Sequence, residues 1–393
     1  MIARIAVFII LAIVISDLYI ERHFLRRRTR NVWWKRLLWW LPGLILIGYT
    51  IVLSLEKNFT PDNVSVVNLF LLLCGLIVVP KLIFTICSAI GLLFRKIRGS
   101  RYNWGNLIAF FLSIFWIYIL LYGSTVGFRK LRVNRVDLYS EDLPSSFEGY
   151  RMTVFSDAHL GSYIGNKRKI FDRAIDSINA QHADMICFLG DIQNIQPQDF
   201  YPFVDQLRSL KAKDGVFSVL GNHDYSLYID ADPAVKAAND REVISRETQF
   251  GWTLLLNDHR AIHRGSDSIV IAGVRNDSKP PYEHEADLPK ALEGVAEKAF
   301  VVLLMHDPSP WHDYVFPTTK TQLTLSGHTH GGQVSILGLR PTMFTAKHDR
   351  GLYTKDNRML FVTSGLGGVV PFRFGVPGEI TVITLHKGKE QAK

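Results

Sequence analysis

Four apolar stretches fill the first third of this 393-residue chain: residues 2–20, 37–55, 66–94 and 107–126. A helix needs roughly 20 apolar residues to cross a bilayer core, and each stretch is long enough. Few other features constrain a fold as strongly, because lipid leaves the backbone no hydrogen-bond partner but itself. The third stretch contains Pro80-Lys81 and is expected to tilt or kink. At about 1.5 Å per residue it is too short to cross twice. The first is read as a retained helix, not a cleaved leader. Asp17-Leu18-Tyr19-Ile20 offers no small-x-small cleavage site, and an arginine cluster follows. Trp33, Trp34, Trp39, Trp40 and Trp104 flank the stretches as an aromatic belt would.

Charge is distributed unevenly. Residues 1–135 carry 18 Lys/Arg against 4 Asp/Glu, whereas the other 258 carry 27 against 32. The formal +9 therefore belongs to loops between apolar stretches, which reads as membrane topology and excludes a nucleic-acid footprint. The first loop holds Arg22, Arg26, Arg27, Arg28, Arg30, Lys35 and Arg36, and the third holds Arg95, Lys96, Arg98 and Arg101. Arg4, Lys57, Arg129, Lys130, Arg132 and Arg135 fall on the other side, and the last four would also suit anionic headgroups. Eleven against six puts the first and third loops in the cytoplasm and the C-terminal half outside it. Inside the apolar stretches the charged residues are Lys81 and, near the ends of the first, Arg4 and Asp17, too little for an ion path.

Beyond about residue 133 the pattern changes. Runs 152–156, 185–189, 216–220, 269–273, 300–305 and 323–326 are short, apolar or β-branched, and end in polar residues. Between the first two, residues 166–181 show helical spacing through Ile170, Ala174, Ile175 and Ile178. Strand, polar loop, helix is the order of a layered α/β protein, whose sites gather at strand C-termini. The expected division is a four-helix membrane domain over 1–127, a connector over 128–150, a catalytic domain over 151–386 and a polar tail over 387–393. Cys74 and Cys87 lie thirteen positions apart on roughly opposite helix faces, and Cys187 sits in a strand-like run as a small hydrophobe. No disulfide framework is indicated.

The strand ends carry the chemistry. In chain order they are Asp157-Ala158-His159, Gly190-Asp191, Gly221-Asn222-His223-Asp224, His306 and Gly327-His328-Thr329-His330. This mixture of carboxylates, imidazoles and one amide suits two divalent metals such as Mn, Fe or Zn. Phosphate-ester hydrolysis brings negative charge against negative charge, and a metal pair neutralises the ester oxygens and supplies hydroxide at neutral pH. Such a pair needs a bridging carboxylate, and Asp191 is the natural candidate. Asp157 and His159, two apart in an extended segment, would reach one metal together, as would His328 and His330. Gly190, Gly221 and Gly327 keep bulk away where backbone and metals crowd.

These motifs together resemble the calcineurin-like metallophosphoesterases over residues 151–385. Gly327-His328-Thr329-His330-Gly331-Gly332-Gln333 and the run Pro371-Phe372-Arg373-Phe374-Gly375-Val376-Pro377-Gly378-Glu379-Ile380 are similar to a bacterial branch of membrane-attached or secreted phosphoesterases. That branch includes pyrophosphatases of UDP-diacylglucosamine. The resemblance implies a four-layer α/β/β/α sandwich following the α-helical transmembrane domain, and residence in a bacterial inner membrane. It implies one metal on Asp157, His159, Asp191 and His330, and a second on Asp191, Asn222, His306 and His328. It makes His223 the general acid for the leaving oxygen. Asp224 would orient His223 or stand as a solvated turn residue. Asn194 departs from the family, which often has a second acidic residue three positions after the bridging Asp.

Other residues are more open. Arg373 is a substrate-binding candidate through its planar fork, or a structural partner of Glu379. Trp311 and Tyr314 would line an acyl or base pocket or pack in the core. His182, His259, His263, His284, His312 and His348 lack a metal-site setting. The expected activity is hydrolysis of a phosphodiester, phosphomonoester or pyrophosphate, with membrane lipids as neighbours and a lipid-linked substrate. A membrane receptor or scaffold that kept the fold and lost catalysis is the other class. All seven ligands and His223 favour the enzyme.

Overall fold

The computed structural model describes residues 2–26, 32–59, 61, 63–276 and 285–389. Arg27, Arg28, Arg30, His284 and residues 390–393 of the expected tail lie outside the described residues. Two compact units make up the chain, Met1–Thr125 and Val126–Lys393.

In the first unit, α1 (Ala6–Ile20) continues into a π turn at Glu21–Leu25, and α2 spans Trp33–Ser54. Then α3 (Val64–Leu73) runs through a π turn at Cys74–Val78 into α4 (Val79–Arg98), and α5 (Trp104–Tyr122) follows. Among the described residues, Trp33–Ser54, Val64–Arg98 and Trp104–Arg129 are long and apolar enough to cross a membrane. The first stretch forms a shorter helix than these, with Asp17, Glu21 and Arg22 gathered towards its end. Pro80 accounts for the π turn: it has no N–H to donate and crowds the carbonyl one turn back, which a widened turn relieves. Asn103 caps α5 by accepting from the Gly105 amide at 3.1 Å. A Cβ on Gly105 would collide with the Cys87 carbonyl, so α4 and α5 meet through small residues, as membrane helices do. The fully buried Asp17 accepts from Lys81 Nζ at 2.7 Å through one oxygen, while its other oxygen is buried without a hydrogen-bond partner.

The second unit holds β1 (Leu131–Ser140), β2 (Tyr150–Phe155), β3 (Met185–Phe188), β4 (Val216–Ser218), β5 (Thr253–Leu254) and β6 (Asp258–Arg264). It continues with β7 (Asp267–Gly273), β8 (Phe300–Leu304), β9 (Leu323–Ser326), β10 (Gly351–Lys355), β11 (Arg358–Val362) and β12 (Gly378–Lys387). They form two six-stranded sheets, ordered β1-β12-β2-β3-β4-β5 and β10-β11-β9-β8-β7-β6. Strand alternation assigns the layers. Phe300, Val302 and Leu304 of β8 enter the core between the sheets with Met185 and Cys187 of β3, while Val301 and Leu303 enter the outer core with Trp311 and Val315. The other outer core packs Ile186 and Phe188 against α6 (Arg168–Asn179), α7 (Val204–Arg208) and α8 (Pro233–Gln249) through Phe171, Ile175, Leu207 and Val243. Both faces of β3 and β8 are thus covered, which is why they read as unbroken apolar runs. The result is the expected α/β/β/α sandwich.

Within the connector expected over 128–150, β1 pairs in parallel with β12 over its full length and forms the edge of the first sheet. Its faces alternate between partly buried and exposed, so the segment lacks a continuous apolar signal.

Candidate metal centre

Five strands end at one place. Asp157 and His159 follow β2, Asp191 follows β3, Asn222 and His223 follow β4, His306 follows β8, and His328 and His330 follow β9. Two groups of ligand atoms converge within 4.8 Å of one another: Asp157, His159 and His330, and then Asp191, His306 and His328. Asp191 Oδ2 joins the groups, lying 3.5 Å from His159 Nε2 and 3.2 Å from His306 Nε2. His330 Nε2 is 3.5 Å from Asp157 Oδ1. Asn222 Oδ1 lies 2.8 Å from His328 Nδ1 and 3.1 Å from His306 Nε2. All seven expected ligands are therefore gathered in one place.

The backbone does this in a way the sequence reading missed. Asp157 (φ 51°), His159 (46°), Asp191 (63°), His328 (70°) and His330 (52°) are all left-handed. The i, i+2 pairs share a direction because of tight left-handed loops beyond the strand ends, not because of strand alternation. The glycines work by close approach: a Cβ on Gly190 would strike the Gly221 backbone, and one on Gly327 would strike Ser156 and Asp157.

Outer partners fix the orientation of three of these candidate ligands, His306, His159 and Asn222. His306 Nδ1–H donates to the Leu189 carbonyl (2.7 Å) and His159 Nδ1–H to the Gln193 carbonyl (3.2 Å), which leaves both Nε2 lone pairs for the site. Asn222 Nδ2 donates to the Tyr228 hydroxyl at 2.7 Å, turning its oxygen inward. His223 Nδ1–H donates to the Asn194 carbonyl at 2.5 Å, and its ring stacks on Tyr228 with centroids 4.3 Å apart. The departure at Asn194 therefore leaves a backbone oxygen in contact with His223. Asp199, buried nearby, accepts from the Asn194 and Ile195 amides at 2.9 and 3.0 Å. Neither Tyr228 nor Asp199 stands in a motif.

Two expected roles change. Asp224 does not orient the His223 ring. It is fully buried, and its carboxylate accepts from the backbone amides of Asp191 (2.6 Å), Ile192 (2.8 Å) and Gly221 (2.8 Å). It is a positioning residue that clamps the Asp191 loop. Arg373 is not placed to bind substrate: it is fully buried and donates to four backbone carbonyls. Glu379 instead accepts from Arg350 at 2.5 Å. Trp311 is buried in the outer core and Tyr314 packs against it.

The electrostatics suit cations. Burial would raise Asp191, but His306, His223 and His159 hold it well below the usual carboxylate range. Burial would lower His306, but the charge of Asp191 outweighs it and lifts the imidazole to about 10. Burial pushes His330 down to about 4 and His159 well below its ordinary value. Burial and Asp191 together push Asp224 up to about 7. The donor set passes a direct fit test for metal: His159 Nε2 and His330 Nδ1 are buried without hydrogen-bond partners, which costs free energy unless an electron-pair acceptor sits there.

The family model described as calcineurin-like phosphoesterase matches residues 150–332. One described as probable calcineurin-like phosphoesterase, transmembrane domain, matches residues 3–128. The metallophosphoesterase YkuE of Bacillus subtilis is 30% identical over 62% of this chain and 81% of its own length. A transmembrane protein with metallophosphoesterase domain from Danio rerio is 28% identical over 68% of this chain, which spans 60% of that relative. Among solved structures, phosphopantetheinyl hydrolase from Mycobacterium tuberculosis is similar with TM-score 0.37 and 15% identity, over 55% of this chain and 89% of that one. The apolar helices make the chain a membrane protein. It belongs to the calcineurin-like metallophosphoesterases, metal-dependent phosphoric ester hydrolases, in a form that carries a transmembrane domain.

Proposed function

We propose that this chain is a membrane-anchored, two-metal phosphoesterase that hydrolyses a phosphodiester, phosphomonoester or pyrophosphate of a lipid-linked substrate. The observation that carries the reading is Asp191 Oδ2, within 3.5 Å of an imidazole from each ligand group. Asp157, His159, Asp191 and His330 would hold one divalent ion, and Asp191, Asn222, His306 and His328 the other, as Mn, Fe or Zn. When bound, the ions supply neutralisation of phosphate oxygens and acidification of the attacking water. The protein's own part is orientation and proton transfer. The Asn194 carbonyl holds the His223 Nδ1 proton, so Nε2 is the nitrogen that delivers a proton to the departing oxygen. Asp224 keeps the Asp191 loop still while charge develops.

The lipid part of the reading rests on tethering. Few residues separate α5, which ends at Tyr122, from β1, which begins at Leu131. At about 3.3–3.6 Å per residue this holds the start of β1 within roughly 30 Å of the end of α5, so the catalytic unit is tethered to the bilayer. Headgroups are concentrated there, whereas a soluble nucleotide gains nothing from anchoring. A pyrophosphate-linked glycolipid such as UDP-diacylglucosamine is one such substrate. The positive-inside count supports a catalytic unit outside the cytoplasm, on a bacterial inner membrane. That conclusion does not depend on whether α1 crosses, because loops one and three share a side either way.

The test is Asp191→Asn with bound metal quantified, beside a substrate screen of the parent protein. The variant is expected to lose hydrolysis and metal together, since one lost charge weakens both sites. Two retained metals with full activity would refute the bridging role. Equal kcat/KM for matched diacylated and deacylated substrates would refute the lipid reading alone.

A further inference from the structure

Directly after the ligand turn, residues 334–344 fold into a projecting hairpin of unusual composition. Ile336 and Leu339 exchange backbone hydrogen bonds at 3.0 Å in both directions, so Leu337-Gly338 is a two-residue turn, with φ of 51° and 85°. Turns with both central residues left-handed favour Asn, Asp or Gly at the first position. Here it is leucine, strained in its backbone and 98% exposed. An asparagine would relieve both costs in water. Phe344 is 81% exposed and Leu339 61%, and Ile336 and Met343 are exposed as well. From 334 to 348 the sequence has no carboxylate, and its cations are Arg340 and Lys347.

The base of this hairpin is hydrogen-bonded, through Asp349, to the turn that carries His328 and His330. Arg340 donates to both oxygens of the buried Asp349, at 2.7 and 3.3 Å, and Thr342 donates to it at 3.2 Å. The Asp349 carbonyl accepts from the hydroxyl of Thr329, which lies between ligands His328 and His330, at 2.5 Å. Ser335 N–H donates to the Phe374 carbonyl at 2.7 Å.

We infer that the 336–344 hairpin dips into the interfacial layer of the bilayer that anchors this chain, and so presents the metal centre to lipid headgroups. The occupant is the lipid surface for two reasons. The chain is a membrane protein whose catalytic unit begins at Val126, within the apolar span Trp104–Arg129, so this unit is tethered to the bilayer. An apolar tip that carries no carboxylate of its own also matches the acyl boundary below the headgroups. Leucine and phenylalanine fill the apolar layer, while Arg340, paired with Asp349, and Lys347, 3.4 Å from Asp313 Oδ1, mark its polar edge. The inference uses the membrane anchoring and not the identity of the substrate.

The experiment uses the full-length protein with Cys74→Ser and Cys87→Ser, reconstituted in nanodiscs of phosphatidylcholine and phosphatidylglycerol. A spin label is placed at Leu337→Cys or, as control, at Ser266→Cys in the exposed β6–β7 turn. Collision with oxygen, which enriches in lipid, is compared with collision with a water-soluble nickel chelate. The label at 337 is expected to favour oxygen and the label at 266 nickel, with the parent's melting temperature retained in both. Nickel preference at 337 equal to that at 266 would overturn the inference. Spin–spin broadening at 337 without oxygen preference would overturn it in favour of a second copy. Oxygen preference that arises only on adding a diacyl phosphate would overturn it in favour of a bound acyl chain.

Discussion

Replacing Arg373 separates the two roles that its chemistry allows. Its guanidinium is fully buried and donates to the carbonyls of Gly367 at 2.5 Å, Ser364 at 2.9 Å, Pro377 at 3.3 Å and Val376 at 3.4 Å. The two shorter bonds are charge-assisted and contribute about 1.5–3 kcal/mol each, while the longer pair adds little. Opposing them is desolvation, strong enough that burial lowers the arginine pKa. Arg373→Met orphans the carbonyls but also removes the buried charge, so the net loss is about 2–4 kcal/mol. Arg373→Lys keeps the charge and loses the planar fork, leaving an underpaired buried ammonium and a loss nearer about 3–5 kcal/mol.

The formally conservative substitution is therefore the worse one. Melting of the detergent-solubilised protein should fall by roughly 5–15 °C for methionine, at about 2–4 °C per kcal/mol, and further for lysine. KM for a soluble phosphodiester should stay unchanged in whatever folded protein remains, because the guanidinium faces backbone. A lysine variant that melts like the parent but has a much higher KM would show that the fork holds phosphate. A lysine variant milder than methionine would refute the desolvation argument.

His223→Ala should retain bound metal and lose about 10²–10⁴-fold in turnover, and lost metal would mean that His223 is a ligand. Glu247 is fully buried, with the Ser218 hydroxyl on Oε2 and nothing on Oε1; burial and then Asp224 raise its pKa well above the ordinary 4.5. The unfolded chain releases this proton near 4.5 while the native protein keeps it, so this group lowers stability as pH rises above that point. Glu247→Gln should flatten the fall of melting temperature with pH, and parallel curves would refute the assignment. A C-terminal alkaline phosphatase fusion should be active and a fluorescent protein fusion dark in a bacterial host. The reverse would place the catalytic unit in the cytoplasm.

What the sequence made legible follows burial. Strands β2, β3, β8 and β9 are covered on both faces, so they read as continuous apolar runs, and the ligands stand at their ends. Strands β6 and β10 are half exposed, and α8 buries only Val243 and Glu247, so no period announced them. Ligand identity was likewise legible, because metals demand particular atoms. The roles of Asp224 and Arg373 were not, because both bind backbone groups brought from distant segments, and a residue's own motif does not reveal those partners.

The left-handed ligands show how the site and the fold depend on each other. A non-glycine residue at positive φ costs about 1 kcal/mol or more, and Asp157, His159, Asp191, His328 and His330 all adopt it. Together that is a sizeable part of a domain's net stability, so the surroundings must over-determine each turn. They do so through backbone groups. Asp157 N–H donates to the Gly190 carbonyl at 2.9 Å, His159 N–H to the Asp191 carbonyl at 3.1 Å, and His328 N–H to the Asp157 carboxylate at 3.1 Å. Asp224 takes the amides of Asp191 and Ile192. These bonds hold the strained turns without using the electron pair on His159 Nε2, which stays buried and unpartnered. The turns can thus be held before a metal arrives, with His159 Nε2 left free to bind it.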